Sequence, residues 1–257
     1  MSGLKITLLQ QPLVWMDGLA NLRHFDVMLD KMTGRDLIVL PEMFTTGFAM
    51  EAATRSLSET QVIEWLHAKA RQCNAMVAGS AALQTDRGPV NRFLLVTPEG
   101  TVSFYDKRHL FRMADEHMHY QAGDERRIVE WRGWRILPLV CYDLRFPVWS
   151  RNQGDYDLLL YVANWPAPRS QHWQALLTAR AIENQAYVAG CNRVGSDGNG
   201  HHYRGDSRVI TPQGEIMAAC EPHQSTHIDA ELSLSALQEY REKFPAWQDA
   251  DVFTISL

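Results

Sequence analysis

Three segments that read as strands each lead into a side chain that can do chemistry. Glu42 follows the segment "LIVLP", Lys107 follows "SFYD", and Cys141 follows "LPLV". A carboxylate can take a proton from a thiol, a thiolate can attack a carbonyl carbon, and an ammonium can stabilise the oxyanion that results. If the fold brings these three side chains together, they can catalyse the transfer of an acyl group.

Each of the three residues also has a plainer interpretation. Free cysteine is among the most buried residue types, so Cys141 can be a packing residue. Glutamate and lysine are usually solvated, and on residue type alone a surface position is the better interpretation of Glu42 and Lys107. The neighbours of Glu42 argue the other way, because Met43 and Phe44 are a poor setting for a solvated charge. A carboxylate held away from water suits a general base.

The segment "VCYDLRFP" predicts a strand that turns sharply into a helix at Cys141. Residues 144–149 are expected to begin the helix, with Pro147 in its first turns. A sulfur near a helix N-terminus is expected to have a lowered pKa, because the N–H groups and the dipole there favour a thiolate. The same turn leaves the backbone N–H of Tyr142 available to an oxyanion. Pro138 cannot donate to a sheet ladder, so a bulge or an edge position is expected near it.

Apolar runs of strand length recur along the whole chain and alternate with amphipathic helical patterns, which is typical of an α/β fold. Two connections have the pattern of β-hairpins, with turns at 98–100 and 212–214, so a mixed sheet is predicted rather than a purely parallel one. No linker-like stretch divides the chain, and one domain covering residues 1–257 is expected. The predicted strands lie at 5–10, 36–41, 75–83, 92–96, 134–141, 157–164, 186–192, 207–212 and 226–232, and the predicted helices at 18–34, 58–74 and 170–185.

The overall composition narrows the possible functions. The 257 residues include 46% hydrophobic ones and carry a net charge of −5, which is ordinary for a soluble globular protein. Nucleic acid is not expected as a partner, because its binding needs a basic patch. The longest apolar stretch, at 158–163, is too short to span a membrane, and the first apolar run is too short for an export signal. The four cysteines form no CxxC pair, so we expect reduced thiols in the cytoplasm and no metal site.

The segments "LPEMFTTGF", "FYDKRHLF" and "LPLVCYDLRFP" occur in this order on a chain with a mixed α/β pattern. In that arrangement they resemble the carbon–nitrogen hydrolase (nitrilase) superfamily. Residues 176–195 and 203–216 are similar to the helix, strand and late hairpin that follow the nucleophile in that family, so the resemblance covers nearly the whole chain. It implies a four-layer α-β-β-α sandwich with mixed sheets. It also implies a homodimer, in which the sheets of two subunits stack through helices.

The resemblance implies a Glu–Lys–Cys triad. Cys141 is then the nucleophile, Glu42 the general base, and Lys107 the cation that faces the tetrahedral intermediate. A second glutamate supports the site in this family; Glu116 is the better match to it and Asp115 the alternative. The thiolate attacks an amide carbon, the lysine and a backbone N–H hold the oxyanion, and ammonia leaves before water hydrolyses the thioester. This chemistry needs no metal and no organic cofactor.

Within the superfamily, the segments "CYDLRFP", "VANWPAPRS" and "RAIENQAYVAG" are most similar to the omega-amidase branch. The resemblance therefore implies a small 2-oxo acid amide as the partner, such as 2-oxoglutaramate or 2-oxosuccinamate. Because this substrate is anionic, we expect an arginine in the pocket and aromatic or apolar side chains in its walls. The candidate arginines are Arg145, Arg169, Arg112 and Arg204, and the candidate wall residues are Phe111, Trp165 and Met118.

Four alternatives stay open at the level of the sequence. The ten histidines permit a Cys–His hydrolase, although none of them lies in a recognisable partner motif. The segments "HMH" at 117–119 and "HH" at 201–202 permit a metal site, although further ligands at useful spacing are missing. A third alternative is another branch of the same superfamily, either the one that acts on deaminated glutathione, which has similar motifs, or one that hydrolyses other small amides or carbamoyl compounds. The fourth alternative is a nitrilase-fold protein that binds a metabolite without catalysis, and the complete triad argues against it.

Overall fold

Two six-stranded sheets pack face to face in the computed structural model, which describes residues 3–255, and helices cover the outer faces of the sheets. The prediction of a four-layer α-β-β-α sandwich with mixed sheets is therefore confirmed. The strands are β1 (Gly3–Gln10), β2 (Leu37–Val39), β3 (Met76–Thr85), β4 (Gly88–Val96), β5 (Val102–Asp106), β6 (Val129–Trp131), β7 (Trp134–Val140), β8 (Leu158–Ala163), β9 (Tyr187–Asn192), β10 (Val194–Ser196), β11 (His202–Arg204), β12 (Arg208–Ile210), β13 (Ile216–Ala219) and β14 (Thr226–Ser233). The helices are α1 (Gly18–Leu29), α2 (Ala52–Arg55), α3 (Glu59–Cys73), α4 (Glu116–His119), α5 (Pro147–Ser150), α6 (Ser170–Asn184) and α7 (Leu234–Lys243), and 3-10 turns lie at Arg112–Ala114, Cys141–Arg145, Ala167–Arg169 and Ala246–Asp249.

Each sheet has three parallel strands at its centre and antiparallel strands outside them. The first sheet has the order β14-β1-β2-β3-β4-β5, in which β1, β2 and β3 are parallel. The second sheet has the order β13-β12-β9-β8-β7-β6, in which β7, β8 and β9 are parallel. Two antiparallel steps separate β5 from β3, so these two strands run in the same direction. The residues that follow β2, β5, β7 and β8 therefore lie at the carboxyl edges of the sheets, where α/β folds bind ligands.

The core between the two sheets is built from every second residue of the strands. Leu37 and Val39 of β2 point into it, while Ile38 points to the opposite face, beneath α1 and α3. The neighbouring strand β3 repeats this arrangement, with Ala78 in the core between the sheets and Val77 beneath the helices. Because both faces of these strands are buried, their sequences are apolar without interruption, and this explains the continuous runs.

The long helices begin and end at local signals. The side chain of Ser58 accepts a hydrogen bond from the Gln61 N–H at the start of α3, and the Gln61 side chain accepts one from the Ser58 N–H. This capping box satisfies two N–H groups that the helix itself leaves unpaired. Helix α1 ends at Leu29 rather than at residue 34, and Met32 in the following turn still packs into the same core. Within residues 3–255, no helix is both long and apolar enough to cross a membrane.

The prediction of one helix that begins within residues 144–149 is wrong. A 3-10 turn at Cys141–Arg145 and the short helix α5 occupy this segment, and Phe146 separates them with φ −113° and ψ 89°. The break has a steric cause, because a residue that precedes a proline is disfavoured in the helical region. Pro147 then begins α5, at the position where a missing N–H costs nothing.

The edge position expected near Pro138 agrees with the ladder of β7. Strand β6 pairs with β7 only as far as Ile136, whereas β8 pairs with β7 from Ile136 to Val140. Among the strands of residues 3–255, β7 therefore has one neighbour at Pro138, and the missing proline N–H leaves no partner unsatisfied on the open side.

Several short elements have no clear signal in the sequence. Strands β6, β10 and β11 are three residues long, too short for a recognisable alternation of polar and apolar residues. Helix α7 also escapes prediction, because Leu237 is its one buried residue and no apolar stripe marks it.

Candidate active site

The side chains of Lys107, Glu42 and Glu116 meet inside the protein with no exposed surface. Lys107 Nζ lies 3.0 Å from Glu42 Oε1, and 3.0 and 2.9 Å from the two carboxylate oxygens of Glu116. The structure thus brings Glu116, rather than the exposed Asp115, to the lysine. Since removing charges from water costs several kcal/mol per ion, such a cluster is stable only when its remaining polar atoms are also bonded.

Three hydrogen bonds hold the carboxylate of Glu42. Its Oε1 accepts from Lys107 Nζ and from Asn91 Nδ2 at 2.8 Å, and its Oε2 accepts from the Asn164 N–H at 2.7 Å. The side chain of Asn164 also donates to the main-chain oxygen of Glu42 at 2.6 Å. A carboxylate has about four acceptor positions. One position on Oε2 is therefore left to receive a proton.

Asn91 and Asn164 are residues of the site that sequence reasoning misses. Asn164 has the same signal as the three predicted residues, because it directly follows an apolar strand, β8. Asn91 lies within β4 and has no such signal, because one polar residue in a strand is the usual pattern of a half-exposed sheet.

Cys141 lies at a backbone position that is unusual for its residue type. It directly follows β7, and its φ of 46° falls in the left-handed region. A residue other than glycine held in this region costs about 1–3 kcal/mol and persists only where its surroundings enforce it. One enforcing contact is a hydrogen bond from the Val140 N–H to the buried carboxylate of Asp143, at 3.0 Å. The sharp turn ends the strand, and Cys141, Tyr142 and Arg145 then line a cavity.

A cavity of about 610 Å³ opens over Cys141. The guanidinium carbon of Arg145 lies 4.8 Å from the ring centre of Trp165, and that of Arg169 lies 5.4 Å from the ring centre of Phe111. Arg145 also contacts the ring nitrogen of His172 at 3.1 Å. Within residues 3–255, neither arginine has a carboxylate at ion-pair distance. Both cations are therefore available to an anionic ligand.

The candidate binding residues divide into two groups. Four of the seven line the cavity, namely Phe111, Arg145, Trp165 and Arg169, and so does Tyr142, whose backbone N–H is predicted to face the oxyanion. The other three do not line it, and these predictions are wrong. Arg112 and Met118 point outward from exposed positions on the 3-10 turn and on α4, and Arg204 is paired with Asp206 at 3.2 Å.

The histidines do not form the alternative sites that the sequence permits. His109 Nδ1 lies 2.8 Å from Asp143 Oδ1, so this ring is paired with a carboxylate. His201 and His202 line the cavity mouth. In the part of the chain that the structure describes, no three side chains of His, Cys, Asp or Glu are grouped as metal ligands.

The sequence model of the carbon-nitrogen hydrolase family matches residues 5–242. The chain belongs to the carbon-nitrogen hydrolase family.

Three relatives of this carbon-nitrogen hydrolase extend over nearly its whole length. Omega-amidase YafV from Escherichia coli (strain K12) is 79% identical over 255 residues, which are 99% of this chain and 100% of that protein. The 2-oxoglutaramate amidase from Bacillus subtilis (strain 168) is 34% identical over 236 residues, 89% of this chain and 90% of that protein. The crystal structure of XC1258 from Xanthomonas campestris, a CN-hydrolase superfamily protein with an arsenic adduct in the active site, is 44% identical, with a TM-score of 0.97 over 100% of both chains.

Burial and the charges of the Glu–Lys–Glu cluster set the pKa of the Cys141 thiol in this hydrolase. Burial and the negative charge of Glu42 raise the pKa of Cys141 well above its ordinary value, and the charge of Lys107 opposes them. The lowered pKa expected from a helix N-terminus is therefore wrong. Helix α5 has only four residues and begins at Pro147, too far along the chain to stabilise a thiolate. These influences favour the protonated thiol over the thiolate.

Burial also acts on the other members of the cluster. It would lower the pKa of Lys107, but the carboxylates of Glu116 and Glu42 raise that pKa above its ordinary value. For Glu116, burial raises the carboxyl pKa, Lys107 opposes this, and the charge of Glu42 adds to it. The lysine therefore stays positively charged, and both carboxylates of the cluster are ion-paired with it.

We predict that Glu42→Gln shifts the alkylation of Cys141 by iodoacetamide to lower pH. The substitution removes the negative charge that raises the pKa of the thiol, so more thiolate is present at a given pH. The measurement is the rate of Cys141 alkylation against pH, followed by mass spectrometry. Glu116→Gln is the matched control, and it should shift the midpoint in the same direction by a smaller amount, because Glu116 is the weaker influence on the thiol. An unchanged or raised midpoint in Glu42→Gln would contradict this electrostatic assignment.

Proposed function

We propose that this protein is an omega-amidase, which hydrolyses the terminal amide of 2-oxo dicarboxylic acid monoamides such as 2-oxoglutaramate to the 2-oxo acid and ammonia. The observation that carries the proposal is the 79% identity to Omega-amidase YafV over 99% of this chain. The arrangement of Glu42, Lys107 and Cys141 supports an amidohydrolase mechanism, and the two arginines in the cavity support an anionic acyl group.

The first half of the reaction forms a thioester. Glu42 is the general base, since its Oε2 has an acceptor position left and the thiol of Cys141 is protonated at rest. The proton moves to Glu42 as the sulfur attacks the amide carbon. The oxyanion that forms is stabilised by the ammonium of Lys107 and by the Tyr142 N–H, which is among the first N–H groups of its 3-10 turn and so lies outside the hydrogen bonds of that turn. Glu42 then gives its proton to the leaving nitrogen, the carbon–nitrogen bond breaks, and ammonia departs.

The second half of the reaction consumes water. Glu42, now ionised again, takes a proton from a water molecule, whose oxygen attacks the thioester carbon. The same two donors stabilise the second tetrahedral intermediate. When the carbon–sulfur bond breaks, the sulfur of Cys141 recovers the proton from Glu42 and the carboxylic acid is released. Over the whole cycle, one amide and one water give one acid and one ammonia, and Glu116 supports the cation by neutralising it.

Substrate specificity comes from the cavity residues around the two arginines. Arg145 and Arg169 meet the carboxylate and the 2-oxo oxygen at the acid end of the substrate, while Trp165 and Phe111 pack beside them and against its carbon chain. A guanidinium suits this task because its fork of N–H groups matches a carboxylate. Glutamine would instead bring an ammonium toward two cations, and like charges placed together cost several kcal/mol.

We also propose that the protein acts in the cytoplasm. The mechanism requires the sulfur of Cys141 to be reduced, and all four cysteines of the chain are free thiols. Free thiols persist in a reducing compartment, whereas an oxidising one favours disulfides.

We predict that the protein is a homodimer in solution, as its family resemblance implies. Exposed apolar side chains on the outer helices α5 and α6, Val148 and Ile182, are suited to burial between two copies. Light scattering at micromolar concentration measures the mass, which should be twice that of one chain of 29.3 kDa. A single species of monomer mass would contradict this.

We predict that Cys141→Ala abolishes hydrolysis while the protein stays folded, because the missing atom is the nucleophile. Turnover should fall by at least about 10⁴-fold. Cys220→Ala and Cys73→Ala are matched controls, since both thiols are buried away from the cavity, and each should retain substantial activity. Ammonia release and a circular dichroism spectrum are measured for each variant. Equal losses in a control variant that remains folded would show that the sulfur of Cys141 has no special role.

We predict that 2-oxoglutaramate and 2-oxosuccinamate are good substrates, and that glutamine, propionamide and short nitriles are poor ones. The physical reason is that the two cavity arginines bind the oxo acid end, which the poor substrates lack or replace by a cation. The measurement is kcat/KM for ammonia release from each compound with one preparation. A tenfold difference corresponds to about 1.4 kcal/mol of transition-state binding, and we expect at least that for each poor substrate.

Two comparisons make this substrate test specific. Arg169→Gln should lower kcat/KM for 2-oxoglutaramate more than for propionamide, whereas Arg112→Gln, which changes an exposed arginine outside the cavity, should leave both unchanged. Propionamide or a nitrile that equals the oxo acid would make the enzyme a general amidase or nitrilase. Deaminated glutathione that exceeds 2-oxoglutaramate tenfold would assign the chain to the other branch.

A further inference from the structure

Another buried carboxylate, Asp143, lies two residues after the proposed nucleophile and takes no part in the proposed chemistry. It has no exposed surface and accepts four hydrogen bonds. Its Oδ2 accepts from the Tyr105 hydroxyl at 2.8 Å and from the Val140 N–H at 3.0 Å. Its Oδ1 accepts from the backbone N–H of His109 at 2.9 Å and from the ring nitrogen Nδ1 of His109 at 2.8 Å.

The partners of Asp143 are themselves fixed. The ring of His109 stacks on Phe146, with ring centres 3.8 Å apart and planes 9° from parallel. The Tyr105 hydroxyl accepts from the Arg108 N–H at 3.1 Å and from the Trp149 indole N–H at 3.0 Å. Burial and the charge of Asp143 raise the pKa of Tyr105 well above its ordinary value, so this hydroxyl keeps its proton and donates it to Asp143.

These bonds join two segments that come from different sheets. Val140 directly precedes Cys141 at the end of β7, and the N–H groups of Arg108 and His109 directly follow Lys107 at the end of β5. We propose that Asp143 and His109 are positioning residues, which hold the nucleophile and the oxyanion-binding lysine at the distance that catalysis requires. The inference rests on the proposed function for its kinetic readout, but the geometry of the clamp is independent of the substrate.

The chemistry of the four donors makes a charged carboxylate necessary at residue 143. All four groups point N–H or O–H hydrogens at the two carboxylate oxygens. An asparagine of the same shape has one oxygen and one NH₂ group, so its NH₂ would meet two donors. In either orientation of the amide, the NH₂ group faces a backbone N–H, that of Val140 or that of His109, and a backbone N–H cannot accept a hydrogen bond. A buried donor left without an acceptor costs about 1–3 kcal/mol, and the strained turn at Cys141 can then relax.

The test uses Asp143→Asn and two readouts. One is the pH midpoint of Cys141 alkylation, which needs no substrate. It should fall toward the ordinary range of a thiol, because the sulfur moves away from the burial and the Glu42 charge that raise its pKa. The other readout is the hydrolysis of 2-oxoglutaramate, in which kcat should fall by about a hundredfold for a shift of 1 Å while KM changes by less than about threefold.

A matched pair at His109 keeps the proposal testable if Asp143→Asn fails to fold. His109→Asn places an amide N–H near the position of Nδ1 and should keep most of the wild-type kcat and alkylation midpoint. His109→Leu has a similar size and no donor, so it should show both changes. This rescue by the conservative variant distinguishes a hydrogen-bonded positioning role from simple packing on Phe146.

Asp157→Asn is the control for buried charge in general. Asp157 is also buried and is bonded to two arginines, Arg135 and Arg241. It precedes β8, so it lies at the edge of the second sheet opposite to Cys141. The substitution Asp157→Asn should lower the melting temperature and leave both readouts at their wild-type values. Wild-type readouts in Asp143→Asn and in His109→Leu, or equal changes in Asp157→Asn, would overturn the clamp. A wild-type protein that hydrolyses no oxo acid amide, with the alkylation midpoint still shifted in Asp143→Asn, would overturn the proposed function and leave the clamp standing.

Discussion

The ammonium of Lys107, enclosed between two carboxylates without exposed surface, is the interaction on which the site depends. Its ion pairs with Glu116 and Glu42, at 2.9 and 3.0 Å, join the segment that follows β5 to the segment that follows β2. Because a buried charge without a partner is far more costly than a paired one, no member of this cluster can be removed without affecting the others. The cluster is thus both a structural centre of the first sheet and the source of the electric field that acts on the thiol.

The second sheet brings Cys141, the proposed nucleophile, to this cluster through a strained turn. Cys141 has a φ of 46°, and Met43 beside Glu42 and Asp115 beside Glu116 also have positive φ values of 46° and 56°. Backbone positions of this kind are costly for residues with a side chain, and they concentrate at functional sites. Here one of them is Cys141 itself, and the other two lie directly beside Glu42 and Glu116.

The state of the sulfur follows from the same arrangement. A cysteine protease of the Cys–His type keeps an imidazolium beside the sulfur and so favours a thiolate. In this protein burial and the carboxylate of Glu42 both favour the protonated thiol. The proposed mechanism therefore couples the loss of the proton to the attack on the amide. It also explains why Lys107 is bonded to carboxylates, since the cation is held in place for the oxyanion instead of pairing with the sulfur.

Much of the fold and of the reactive centre can be predicted from the sequence. The strands are visible as apolar runs because both of their faces are buried, and the capping box at Ser58 marks the start of α3. The prediction of Glu42, Lys107 and Cys141 as the reactive groups rests on the resemblance of three motifs in a fixed order to the carbon–nitrogen hydrolases, and each of the three residues lies just after the end of a strand. Local sequence contains this information because strand and turn preferences depend on neighbouring residues.

The rest was decided by the packing of the two sheets. Asn91 and Asn164 bind Glu42 from different sheets, and no local pattern marks that encounter. Among the candidate arginines, only Arg145 and Arg169 line the cavity, because Arg112 lies exposed on a 3-10 turn and Arg204, at the end of β11, is paired with Asp206. The pKa of the thiol is raised rather than lowered, since burial and a charge from a distant part of the chain act more strongly than the turn beside it. A sequence fixes which side chains follow each strand, whereas their distances, burial and mutual charge exist only once the sheets have met.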